Sequence, residues 1–176
     1  IDGDGGLERI SEARDIAKRL LDEIRRLIMG LRPSVLDDLG LGPAIEWYAE
    51  TVMAERQRPT FVTVDVPNER LPGHLEVALF RISQEALNNV AKHADATQAR
   101  VALHRESDAE LIIEDDGVGF DVAAATHAGA ASGGVGLAGM QERAALRGGT
   151  MDITSAHGQG TRLTVRVPLV EPSSDR

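Results

Sequence analysis

Glu85 and Asn89 stand four residues apart in the run Gln84-Glu85-Ala86-Leu87-Asn88-Asn89-Val90-Ala91-Lys92-His93. On a helix that spacing puts both on one face, with Lys92 or His93 one turn further on. A carboxylate and an amide oxygen side by side suit Mg²⁺, a hard ion that takes oxygen ligands and keeps several waters. Lys92 can then meet phosphate as a point charge. A solvated helix face carries the same residue types, so the run does not decide alone. A second group is Ile113-Glu114-Asp115-Asp116-Gly117-Val118-Gly119-Phe120, at the end of an apolar stretch. A carboxylate there can accept a hydrogen bond from an exocyclic amine, while the glycines let a flat base approach the backbone. A tight acidic turn is the plainer reading. The third group, Gly133-Gly134-Val135-Gly136-Leu137, opens a helix and would present free backbone N–H groups to an anion. It is neither a Gly-x-x-x-x-Gly-Lys-Ser/Thr phosphate loop nor a dinucleotide fingerprint, since it follows a flexible loop and not a strand. Gly158-Gln159-Gly160-Thr161 adds a further glycine turn, where a hydroxyl could face the base.

Helices and strands must bring these groups together. From Leu7 to Leu31, Ile10, Ala13, Ala17, Leu20, Ile24, Leu27 and Leu31 follow the alternating three-four spacing of a coiled-coil seam. Gly30 and Pro33 end that helix. It is either a core helix or one half of a dimerisation hairpin. A short helix is expected over 41–55, where Trp47 and Tyr48 read as packing residues, and a strand over 59–66. A long helix over 71–93 buries Leu75, Leu79, Ile82, Ala86 and Val90. Strands follow at 99–104 and 111–113, then a mobile loop over 122–134, poor in periodicity. A helix over 137–146 and a hairpin of 151–154 with 162–167 complete the pattern. The elements mix without strict βαβ alternation, which favours an α+β class over a doubly wound sheet.

The 176 residues suffice for one ordinary domain plus an extra helix. Nineteen Lys and Arg stand against 28 Asp and Glu, a net charge of −9. That balance argues against nucleic-acid binding, which needs a basic footprint. With no cysteine, disulfides, thiol nucleophiles and cysteine zinc sites are excluded. No apolar run approaches a membrane span and no secretory signal opens the chain, so a cytoplasmic piece without membrane contact is expected, although a longer parent could carry an anchor.

In this order and at these spacings, the four groups resemble the ATP-binding fold shared by sensor histidine kinases, type II topoisomerases, mismatch-repair ATPases and the large heat-shock chaperone (the GHKL or Bergerat fold). Glu85 to His93 resembles its N box, Asp115 to Gly119 its first glycine box, Gly134 to Leu137 its second, and Gly158 to Thr161 its closing glycine-threonine element. Leu31-Arg32-Pro33-Ser34-Val35-Leu36-Asp37-Asp38-Leu39-Gly40-Leu41, Arg81 to Asn89 and Gly139-Met140-Gln141-Glu142-Arg143 are similar to nitrate-sensor-type two-component kinases.

The resemblance implies a two-layer α/β sandwich, a mixed and mostly antiparallel sheet under helices, preceded by the coiled-coil-like helix. It implies a lead-in at 1–6, a second dimerisation helix and linker at 7–40, an ATP-binding catalytic domain at 41–170 and a disordered tail at 171–176. Asn89 would hold Mg²⁺ and Glu85 would order a metal-bound water. Asp115 would read the adenine amine, Gly117 and Gly119 would shape the base pocket, and Thr161 would sit near the base. Gly134, Gly136 and Leu137 would start the helix beside the phosphates, with Asn88, Lys92 and His93 as further nucleotide contacts. The 122–133 loop would be an ATP lid, in which His127 reads as a solvated side chain.

The implied cofactors are ATP and Mg²⁺, and the implied partners are a response-regulator receiver domain and a second copy joined through the N-terminal helix. One departure stands out. The family phosphorylates a His followed by an acid on an early helix, and none of His74, His93, His104, His127 and His157 fits. The acceptor is therefore expected outside this chain. Two other readings stay open: a degenerate dimeric interaction module, and an anti-sigma-type serine kinase on the same fold.

Overall fold

The computed structural model describes residues 34–54, 60–127 and 134–169. The helix expected over 7–31, the lead-in and the tail lie outside the described residues. The chain divides into two units, 1–34 and 35–176, and the second carries the fold that follows.

Helix α1 (Ser34–Leu39) is followed by α2 (Leu41–Met53), strand β1 (Phe61–Asp65), and α3 (Gly73–Asn89). Strands β2 (Gln98–Arg105) and β3 (Asp108–Asp115) come next, then α4 (Val122–His127) and α5 (Gly134–Ala145). Strands β4 (Thr150–Ser155) and β5 (Thr161–Pro168) end the unit. The five strands lie in the order β1-β2-β3-β5-β4; β1 runs parallel to β2 and every other pair is antiparallel. This is the α+β class with the mixed, mostly antiparallel sheet that the resemblance implies.

Strand alternation explains why one layer of helices is enough. Val101, Leu103, Leu111, Ile113, Leu163 and Val165 bury one face of the sheet. On the other face, rows of alternating charge flank a small central row of Ala102 and Ile112: Arg100 is in register with Glu114, which is in register with Arg162, and Glu110 with Arg166. Glu114–Arg162 and Glu110–Arg166 form ion pairs, and Arg100 reaches Asp65 at 3.1 Å. Opposite charges on facing strands suit a face turned to water. On the apolar side, α3 buries Leu75, Leu79, Ile82, Ala86 and Leu87, a stripe broad enough to touch both sheet and neighbouring helices. Tyr48 of α2 meets Phe80 of α3 edge to face, with ring centroids 6.1 Å apart. Tyr48 is thus the packing residue expected.

The segment before α2 belongs to this unit. Leu36 is buried, and the Arg70 guanidinium donates to the carbonyls of Leu36 and Asp37 at the end of α1. The same guanidinium grips both oxygens of Glu76 at 2.8 Å, and Glu76 also accepts the Leu71 N–H. A buried carboxylate needs this kind of saturation.

Two elements differ from expectation. The expected loop over 122–134 begins with α4, because Asp121 caps it by accepting the Ala124 N–H at 3.0 Å and the run of alanines favours helix without any amphipathic signal. Residues 128–133 lie outside the described set. The long helix also does not stay α-helical to its end. Val90–Ala94 widens into a π turn and stops at Asp95, whose φ is +47°.

Candidate nucleotide-binding site

A cavity of about 300 Å³ opens between the C-terminal part of α3, the end of β3, α4, α5 and the β4–β5 hairpin. Ile113, Met140, Ile153 and Leu163 give it apolar walls; Asn89, His93, Asp115 and Thr161 bring polar groups. An apolar slot with a few convergent polar groups is the general form of a small-molecule site.

Asp115 is the last residue of β3, which sets its carboxylate at the end of the buried face. Burial pushes its carboxyl above the ordinary range, and the Asp116 charge adds to the rise. Bonds from the Gly117 N–H and from Thr161 act against it. The Gly117 bond is 2.9 Å long.

The chain beyond Asp115 is held on both sides. On one side the Val118 N–H donates to Ala94 O at 2.7 Å; on the other, the Gly158 N–H donates to Val118 O and the Gly160 N–H to Gly117 O. So tight a passage requires glycine. A Cβ at Gly117 would lie 2.2 Å from Ala94 O, and one at Gly119, where φ is +60°, would lie 2.0 Å from Ala156 O. The π turn therefore has a use: it ends with the Ala94 carbonyl against Gly117 and Val118. Ser155 ties the hairpin to the same passage. It accepts the Phe120 N–H at 2.9 Å, donates to Gly160 O at 2.8 Å, and lies 3.3 Å from the Thr161 hydroxyl.

The site residues expected from sequence fall into three groups. Asn89, His93, Asp115, Gly119, Leu137 and Thr161 line the cavity. Glu85, Gly117 and Gly136 are not in its lining but adjoin elements that are: Gly136 packs on the Glu85 carboxylate, and Gly117 lies against Ala94. Asn88 and Lys92 are not among its lining. Asn88 bonds to Tyr48, whose hydroxyl burial pushes up to about 12, while Lys92 is exposed. Gly134 opens α5. Ser155, Ala94 and Phe120 have no role assigned from sequence. Only Phe120, as the sole aromatic next to a glycine pair, carried a signal that could have been used.

Residues 74–171 match the family described as histidine kinase-, DNA gyrase B- and HSP90-like ATPases. The chain is 38% identical, over 93% of its length and 28% of the other's, to an uncharacterized sensor-like histidine kinase of Chloroflexus aurantiacus. It is 36% identical, over 94% of its length and 42% of the other's, to the signal transduction histidine-protein kinase/phosphatase DegS of Brevibacillus brevis. It thus spans less than half of either relative. Among solved structures, the blue-light activated histidine kinase of Erythrobacter litoralis EL346 shares the fold, with a TM-score of 0.66 at 18% identity, over 86% of this chain and 50% of that one. The cavity lined by Asn89, Asp115 and Gly119 and the family match over 74–171 agree: this chain belongs to the histidine kinase-, DNA gyrase B- and HSP90-like ATPase family.

Proposed function

We propose that the chain is the ATP-binding catalytic part of a sensor histidine kinase of the nitrate-sensor type, with 7–40 supplying a second dimerisation helix and linker and 41–170 the catalytic domain. The observation that carries this reading is that one cavity gathers Asp115 and Thr161 among apolar walls together with Asn89 of α3 and His93 of the π turn that follows it. The relatives named as histidine kinases match over nearly the whole chain, including the stretch before α2, which speaks for this class over an interaction module or a serine kinase.

In this reading the ionised Asp115 accepts a hydrogen bond from the adenine amine, and the apolar walls take the faces of the ring. Asn89 would offer a hard amide oxygen to Mg²⁺, with the Glu85 carboxylate one turn before it. A site with so few protein donors fits an ion that keeps several waters. Bound there, Mg²⁺ would offset phosphate charge. Lys92 and His93 follow on the phosphate side, and the first turn of α5, from Gly134 to Leu137, offers its free N–H groups to the same charge. The reaction forms a bond from an acceptor His nitrogen to the γ-phosphorus and breaks the bond to the bridging oxygen, releasing ADP. Positioning supplies most of the acceleration. A response-regulator Asp then takes the phosphoryl group. The acceptor His lies on the dimerisation hairpin and not in this chain; pairing of two copies through that hairpin and a cytoplasmic setting belong to the same proposal.

Calorimetric titration with a non-hydrolysable ATP analogue tests the pocket. Binding strengthened by Mg²⁺ and largely lost in Asp115→Asn is expected; absence of binding to the folded chain would reject it. Adding a protein bearing the His hairpin and labelled ATP then tests the acceptor, with label on His expected and label on Ser contradicting the assignment.

A further inference from the structure

Asp116 is exposed and does not line the cavity described above, yet its side chain is fully engaged. Its Oδ1 accepts the backbone N–H groups of both Thr97 and Gln98 at 2.8 Å, and its Oδ2 accepts the Thr97 hydroxyl at 2.6 Å. Its own N–H donates to Gln98 O at 3.2 Å. The stretch it grips is itself anchored from the far side: the Phe61 N–H donates to Thr97 O, and the Thr60 hydroxyl donates to Ala96 O, both at 3.0 Å. Four bonds thus tie the residue after Asp115 to the β1–β2 edge of the sheet. They also hold the Asp116 carboxyl below the ordinary range, the Thr97 hydroxyl foremost.

Successive side chains of extended backbone point to opposite sides. Asp115 turns to the cavity and Asp116 turns away from it, so fixing one fixes the other. A charge-assisted staple on the outer side costs the site no volume and leaves the inner carboxylate free for a ligand. From this juxtaposition we infer that Asp116 is a positioning residue for base recognition, holding Asp115 where it discriminates adenine from guanine through the amine that only adenine presents there. The inference rests on the ATP-binding reading of the same cavity.

The chemistry of the staple supplies its own control. Asn at 116 keeps an Oδ1 for the two amides, and its NH₂ can donate to the Thr97 hydroxyl oxygen, so Asp116→Asn retains the tether while Asp116→Ala removes it. Dissociation constants for ATP and GTP would be measured on the chain by competition with a fluorescent ATP analogue, beside the thermal midpoint of each variant. In Asp116→Ala the preference for ATP over GTP should fall by about tenfold, chiefly through weaker ATP binding, because a group that is no longer aimed no longer selects. Asp116→Asn should stay within about twofold of the parent, one hydrogen bond being exchanged for another.

Thr97→Val, which removes one of the side chain's three bonds and little volume, should show a smaller loss of the same kind and serves if the alanine variant fails to fold. An unchanged ATP preference in Asp116→Ala, an equal loss of ATP and GTP affinity, or an Asn variant as impaired as the Ala variant would each overturn the inference. Asp115→Asn separates the two levels. If it keeps full ATP affinity, the base-recognition reading itself is wrong; if it loses affinity and Asp116→Ala does not, only the positioning role falls.

Discussion

A Cβ placed on Gly136 would lie 2.3 Å from Oε1 of Glu85, so the first turn of α5 is pressed directly against the carboxylate of α3. The obstructing atom is the end of a flexible side chain and not backbone. Gly136→Ala should therefore fold, with a thermal midpoint within about 3 °C of the parent. Glu85 would be pushed from its place, and in the proposed kinase site a displacement of this size costs about a hundredfold in rate. Thermal melts beside phosphotransfer rates check both halves; unaltered rates would show that Glu85 does not need its present position.

Gly119 and Gly158 share a left-handed backbone, at φ +60° and +76°, but only Gly119 is crowded. An added Cβ meets the Ala156 carbonyl at 2.0 Å in the first case and nothing within 4 Å in the second. Gly158→Ala should lose about 1 kcal/mol, the cost of the conformation alone. Gly119→Ala should lose at least about 2 kcal/mol, because two backbone segments must also part. Urea unfolding of the two variants measures the difference, and equal losses would contradict it.

Burial holds the Asp115 carboxyl above its ordinary value of 3.8. A raised carboxyl makes the native chain bind more protons than the unfolded one across the interval above 3.8, so its ionisation costs stability as pH rises. Asp115→Asn should therefore be at least as stable as the parent at pH 7 without nucleotide, with the advantage vanishing as pH falls through the raised value to the ordinary one. ATP affinity should move the opposite way: the variant loses it at pH 7, and the parent loses it on acidification. Chemical denaturation and calorimetry across pH 4 to 8 test both signs.

Glu76 is buried at 1% exposure and depends on Arg70. Arg70→Met strands that carboxylate and frees the α1 carbonyls, and should lower the thermal midpoint by about 5 °C or more. Glu76→Gln keeps an acceptor for the Leu71 N–H and should cost less. The double variant should recover part of the Arg70→Met loss, a coupling that a double-mutant cycle of melts reads out.

The polar residues and the glycine of the cavity were legible in the sequence because chemistry narrows their types. An acid at a strand end, glycines where backbone passes backbone, and an amide one turn from a carboxylate each have few substitutes. The α+β class, α2, α3 and the last hairpin were legible for a related reason: burial of one face writes a period of 3.6 or 2 into the chain. Helix α4 was not, since Asp121 and a run of alanines make a helix with no buried stripe. The π turn at Val90–Ala94 was not, since its reason is the fit of Ala94 against Gly117, more than twenty residues later.

Residue types and hydrophobic period mark which side chains could bind and most of the local elements that carry them. Tertiary packing settles which of them share a cavity. It set Asn88 on Tyr48 while Asn89 took the cavity, a division that adjacent identical residues cannot reveal. It also joined Asp116 to Thr97 and Arg70 to the end of α1. Such polar partners follow from the paths of separate segments through space, and neither residue of a pair records the other in its own neighbourhood.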